Sequence, residues 1–179
     1  MDSTQLMELI HPVAGNVEEV KNAKPLMLVI DAAELVPVCG LLFKNPETYF
    51  DMLTCITGVD NGHEANTMEV IYHLYSIPFH QSLMLKVMLP RENPEVESVT
   101  TIWKSANWLE REVFDMFGIA FKNHPDLRRI LMPADWEGYP LRKDYKHEET
   151  YRELKSINRN WPEYILTVIE TSAIHIQRR

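Results

Sequence analysis

Cysteine is scarce: the 179 residues include two, Cys39 and Cys55, with no CxxC spacing. An iron–sulfur cluster usually takes four thiolates, so this chain cannot hold one alone. Two lone thiols fit a reducing compartment, where cysteine packs as a small hydrophobe. Glycine is scarce too, and the six, at 15, 40, 58, 62, 118 and 138, never fall as GxG. That removes the close-set cradle through which backbone N–H groups approach the phosphates of NAD, FMN or ATP. The longest apolar run, VPVCGLLF, is far short of the ~20 residues of a membrane helix. The opening MDSTQLMELI has neither the basic start of a signal peptide nor the Arg-rich face of a transit peptide. The seven histidines are scattered, without HExxH-type spacing, and there is no GxSxG elbow. A net charge of −8 argues against a general nucleic-acid binder, which needs a basic surface.

What is present fits one globular domain with a tail. Apolar residues make up 45% and charged residues 25%. A chain of this size buries roughly 70% of its unfolded surface and needs no disulfide or metal staple. Charge is uneven along it: residues 1–121 carry 7 Lys and Arg against 17 Asp and Glu, and residues 122–179 carry 11 against 9. The relatively basic C-terminal third reads either as internally paired or as a docking surface for an acidic partner.

Periodicity gives an α+β order. STQLMELI has helical spacing after a Ser3 cap, and PLMLVI reads as a short buried strand. Asp31 caps a helix over AAELVPVCGLLF that Pro37 must kink or stop. YFDMLTCITGV starts with helical character and ends in β-branched residues. In NTMEVIYHLYS the apolar Met68, Val70, Tyr72 and Leu74 alternate, and in SLMLKVML so do Leu83, Leu85, Val87 and Leu89. Short turn-rich connections predict an antiparallel meander with helices packed on one face. A further helix starts near Ser98 and is rebuilt at Asn107, which forms a capping box with Glu110. Leu109, Val113, Met116 and Phe117 make its apolar stripe, and Gly118 ends it in a left-handed cap. The chain is expected to divide into an α+β domain over 1–121 and an irregular, extended docking segment with a tail over 122–179.

The stretch EREVFDMFGIAFKNHPDLRRILMPADWEGYPLRKDY, residues 110–145, mixes thirteen charged residues of both signs with aromatics. Three readings fit: an active site, an ion-paired structural knot, or a surface covered by another protein. Arg111 and Asp115 are spaced to pair on one helix side, and Glu112, beside Trp108, is expected to be half-buried with an arginine partner among Arg128, Arg129, Arg142 and Lys143. An enzyme would recruit Glu112, Asp115, His124 and Asp126 as acid, base or metal groups, but the cations beside His124 would repel a metal and no motif with a mechanism is present. Trp103, Trp108, Trp136, Tyr139 and Tyr145 with nearby arginines are the residue types of interface hot spots.

The same stretch resembles the signature of the thirty-kilodalton subunit family, the C subunit, of respiratory NADH:quinone oxidoreductase (complex I). Glu110, Arg111, Glu112, Asp115, Met116, Phe117, His124, Arg128, Ile130 and Leu131 occupy the pattern's positions, followed by the typical DWEGYPLRKDY. Weaker likeness covers about 49–146. The resemblance implies an α+β protein without a redox centre, lying in the peripheral arm against the large, forty-nine-kilodalton-type subunit and its other neighbours. It would neither bind nucleic acid nor span the membrane. NADH, FMN, iron–sulfur clusters and quinone would be handled by other subunits, with ion translocation by the complex as a whole. The location implied is the cytoplasmic face of a bacterial inner membrane, or the matrix side in mitochondria. On this reading Glu110, Arg111, Glu112, Asp115, His124, Arg128, Arg129, Trp136, Tyr139, Arg142, Lys143 and Asp144 are docking residues or structural ion pairs. The alternatives are the homologous subunit of a membrane-bound hydrogenase or another complex I relative, and an independent enzyme using Glu112, Asp115 and His124.

Overall fold

The computed structural model describes residues 3–146 and the backbone at 150–151 and 154–155. One compact unit runs Met1–Tyr145 and a second Lys146–Arg179. The division therefore falls after Tyr145 and not at the expected 121, because bonds to Asp60, Arg91 and Asp115 hold the intervening segment on the first unit.

The first unit opens with α1 (Ser3–Ile10), β1 (Val17–Glu19), β2 (Leu26–Ile30), a 3-10 turn over Ala32–Glu34 and α2 (Leu35–Lys44). It continues with β3 (Met52–Asp60), the one-turn α3 (Gly62–Ala65), β4 (Thr67–Ser76), β5 (Gln81–Pro90), β6 (Glu95–Glu97), α4 (Ala106–Phe117) and β7 (Ala120–Lys122). In the second, the pair β8 (Thr150–Tyr151) and β9 (Leu154–Lys155) is antiparallel.

The main sheet has five strands in the order β1-β2-β5-β4-β3. The expected antiparallel meander holds for β3, β4 and β5, whose registers set Ile56 beside Tyr72 and Tyr72 beside Leu85. It does not hold for β2, which lies parallel to β5 with Leu28 beside Leu85. A parallel neighbour needs a long connection, and the excursion through α2 and the β3–β4 hairpin supplies it.

Alternation in β4 is strict: Met68, Val70, Tyr72 and Leu74 are buried and their alternates half-buried. The buried row joins Leu83, Leu85, Val87 and Leu89 of β5 and is covered by Leu6 and Ile10 of α1, by Leu35, Val38 and Leu42 of α2, and by Ala106 and Val113 of α4. Pro37 does not kink its helix. The chain makes a 3-10 turn first and restarts at Leu35, which puts Pro37 in the first turn, where an N–H has no intrahelical acceptor in any case. The helical start expected for residues before Thr54 is replaced by strand from Met52.

α4 packs directly on β3 at Gly58, where an added Cβ would come within 2.7 Å of the Phe117 ring and 3.1 Å of Val113. This close approach is the physical reason for glycine inside a strand.

Candidate functional site

α4 begins at Ala106, so Asn107 lies inside the helix and the expected capping box does not form. Glu110 is instead fully buried and reaches back to the loop before the helix. Its Oε1 accepts the Val99 N–H at 2.8 Å and its Oε2 accepts the Ser98 hydroxyl at 2.7 Å. Burial pushes its pKa up to about 7, against the opposing pull of those two hydrogen bonds. His124 Nε2 lies 3.9 Å from the same carboxylate. The imidazole is committed elsewhere, with Nδ1 accepting the Asp126 N–H at 3.0 Å and Nε2 donating to the Asn107 carbonyl at 3.1 Å. That pattern assigns the neutral Nε2–H tautomer, so the Glu110–His124 contact is not an ion pair.

Asp115, also fully buried, organises the segment after the helix. Its Oδ2 accepts three successive N–H groups, Ile130 at 3.0 Å, Leu131 at 2.7 Å and Met132 at 2.9 Å. Its Oδ1 takes the Arg129 guanidinium at 2.7 Å. Burial alone would raise its pKa; the four donors outweigh burial and hold the carboxyl below its usual range. The expected Arg111–Asp115 pair is thereby corrected. Arg111 is buried, donates to the Arg128 carbonyl at 3.1 Å and lies 5.0 Å over the Trp108 ring. Glu112, expected half-buried and paired, is exposed. The expected apolar stripe packs inward through Leu109, Val113 and Phe117, and Glu110, Arg111 and Asp115 are buried beside it.

A second charged cluster, which sequence reasoning missed, closes the far end of β3 and β5. Arg91 is 4% exposed and grips Asp60 with two bonds, Nε to Oδ1 at 2.7 Å and a terminal nitrogen to Oδ2 at 3.0 Å. The Arg91 guanidinium drives the Asp60 pKa far below the carboxylate range, helped by the Lys143 and Gly62 N–H groups. Arg91 also meets Asp144 at 2.8 Å, and Arg142 donates to the Arg91 carbonyl at 3.2 Å.

These bonds tie residues 138–145 down, contrary to the expected extended arm with free anchors. The Leu141 N–H bonds the Met116 carbonyl at 3.0 Å, and Tyr139 meets Phe114 edge-on and fills the space beside Gly118. Trp136 Nε1 donates to the Tyr145 hydroxyl at 3.0 Å. A side chain at Gly118 would collide with Tyr139, so this glycine serves both the left-handed helix end, at φ 74°, and the seating of residues 128–145, a strap along α4. Arg128 pairs at the surface with Asp126.

The outward side chains of α4 and residues 128–145 are mixed: Glu112, Arg128, Glu137 and Lys143 are exposed, and so are three large apolar residues. Trp108 is 64% exposed, Leu131 59% and Leu141 54%. Trp108 is on the outer side of α4, while the backbone of Leu131 adjoins Asp115 and that of Leu141 adjoins Met116 on the same helix. Glu112, Asp115 and His124 form no acid–base set: the first is exposed, the second is saturated by residues 129–132, and the third faces Asn107 and Glu110. Among the described residues no three His, Cys, Asp or Glu side chains are grouped to hold a metal ion.

The family model of the respiratory-chain NADH dehydrogenase 30 Kd subunit matches residues 28–151, and the chain belongs to that family. It is 50% identical over 117 residues to the C subunit of NADH-quinone oxidoreductase from Trichlorobacter lovleyi, covering 65% of this chain and 72% of that one. The corresponding C subunit of Geobacter sulfurreducens is 40% identical over 150 residues, 83% of this chain and 91% of that one. Among solved structures, the trypsin-resistant fragment of Nqo5 superposes with a TM-score of 0.56 at 28% identity, over 71% of this chain and all of the fragment.

Proposed function

We propose that the chain acts within NADH:quinone oxidoreductase as a cofactor-free brace, docked on the large, forty-nine-kilodalton-type subunit by the outer side of α4 and the strap. The observation that carries this reading is the division of labour in the signature stretch. Its buried charged groups, Glu110, Arg111 and Asp115, are spent on internal bonds, whereas Trp108, Leu131 and Leu141 face outward. Exposed aromatic and aliphatic side chains on a rigid, ion-paired base are what a permanent protein interface uses. FMN, iron–sulfur clusters and quinone then belong to other subunits, and the chain sits peripherally on the cytoplasmic face of the membrane. No helix among the described residues is long and apolar enough to cross a bilayer.

The test is purification of the tagged chain alone and from cells that make the whole complex. The free chain is expected to be colourless, with iron and flavin far below stoichiometric after adventitious metal is removed, and the tag is expected to capture the large subunit. Stoichiometric iron or flavin on the free chain, or capture without the large subunit, overturns the reading.

A further inference from the structure

A groove of about 700 Å³ runs along the outer side of α2, lined by Pro37, Gly40, Leu41, Phe43, Lys44 and Ile102 among others. We propose that this groove receives an apolar helix of another subunit of the same complex, one that carries a carboxylate where it meets Lys44. The proposal rests on the reading of the chain as a complex I subunit but uses a surface separate from α4 and its strap.

Gly40 is the first ground. It sits in the middle of α2, where glycine is less favourable than alanine, yet a Cβ built there has nothing within 4 Å. The chain by itself gains nothing from this glycine. A bare stretch of helix backbone at the floor of an apolar groove admits another backbone closely, which a Cβ would prevent.

Charge is the second ground. Lys44 is the one charged residue in the groove's lining, on a stretch, residues 1–121, where 17 acidic residues face 7 basic ones. A matching occupant is apolar with a carboxylate at the Lys44 end. A small ligand needs several convergent polar groups to fix it. Here Asn45 and Thr101 are the other hydrogen-bonding side chains of the lining, and Asn45 Oδ1 already accepts the Glu47 N–H at 2.8 Å.

The apolar surface also continues beyond the groove, as a long helix requires. The Phe43 ring lies edge-on to Trp103 at 5.9 Å and 6.1 Å from exposed Tyr49. The Tyr49 carbonyl is tied to Ser76 at 2.8 Å, next to the exposed Ile77 and Phe79 of the β4–β5 turn.

The experiment places p-benzoylphenylalanine at position 41, in place of Leu41, and separately at position 108, in place of Trp108, in the chain assembled into the complex. After irradiation, mass spectrometry identifies what is attached. The expected result is an adduct from position 41 with a helix of another subunit, within a turn or two of an Asp or Glu. An adduct from position 41 with lipid or with a second copy, or none at all while position 108 cross-links to the large subunit, overturns the groove proposal and leaves the docking reading standing. No adduct from position 108 counts against the docking reading alone. A companion variant, Gly40→Leu, is expected to leave the melting temperature of the free chain within a few degrees and to lower its retention in the complex at least tenfold. Wild-type retention of that variant also overturns the proposal.

Discussion

Glu110→Gln is a substitution that should stabilise this protein in one pH range and not in another. Glutamine copies the protonated acid: its carbonyl can accept the Val99 N–H and its amide can donate to the Ser98 oxygen, whose own proton turns to Thr100 Oγ1, 2.8 Å away. Glu110 titrates near 4.5 when unfolded and at about 7 in the folded chain, because burial penalises the charge. The folded state therefore holds the proton more tightly. The stabilisation this gives is complete below pH 4.5, declines as pH rises through the interval, and is gone above pH 7. A separation of that size corresponds to about 3 kcal/mol at about 1.4 kcal/mol per pH unit. Urea unfolding of wild type and Glu110→Gln at pH 5, 6, 7 and 8 measures it. The other titrating groups cancel in the difference, which should grow in favour of the variant by about 3 kcal/mol across the interval. Parallel stability curves, with a difference constant to within about 0.5 kcal/mol, refute the burial argument. Glu110→Ala, which strands the Val99 N–H, should instead lose stability at every pH.

Other substitutions probe the rest of the frame. Arg91→Met strips Asp60 of its buried partner and should cost about 3–5 kcal/mol by denaturant unfolding. Because Asp60 is held at a depressed pKa, the stability it confers is present at neutral pH and is lost as pH falls below the unfolded value of 3.8, a loss that should vanish in the variant. Asp115→Ala leaves three N–H groups without their acceptor and removes the carboxylate partner of Arg129, and limited proteolysis should then cut within residues 128–132 before global unfolding. Gly58→Ala should destabilise by about 1–3 kcal/mol by overpacking, and Phe117→Leu in the same chain should recover part of that loss.

The parts of this fold that were legible in the sequence are those where one short-range rule decides. Met68 to Leu74 and Leu83 to Leu89 alternate strictly, and a half-buried strand is what that pattern means. Gly118 after an apolar stripe signalled its left-handed cap. Parallel placement of β2 was harder, since no local rule names a partner; its unbroken apolar run, LMLVI, was the available hint of a strand flanked on both sides. The inward stripe of α4 was legible, but the burial of Glu110 and Asp115 was not, because they look like surface charges. Their burial depends on donors 11 residues before and 15–17 residues after them, and nothing within the helix announces those. The Asp60–Arg91 pair was missed although the meander contains it. Asp60 pairs with Met68 and Met68 with Leu89, so counting the registers brings residue 91 to the end of β3. The docking segment was read as extended because its two prolines and Gly138 suppress regular structure, but irregular backbone can still be held by specific bonds, and Asp115, Arg91 and Tyr139 hold it.

On the proposed docking, the buried charges Glu110, Arg111 and Asp115 form an internal knot and the exposed Trp108, Leu131 and Leu141 meet the partner. Trp108→Ala tests this most directly, with folding stability and capture of the large subunit measured on the same preparation. Trp108 is 64% exposed, and its cation–π contact is with the buried Arg111, so folding should lose about 2 kcal/mol or less. Capture should weaken by about 2 kcal/mol or more, some thirtyfold in affinity. A variant that loses several kcal/mol of folding stability yet is captured as well as wild type would contradict the account.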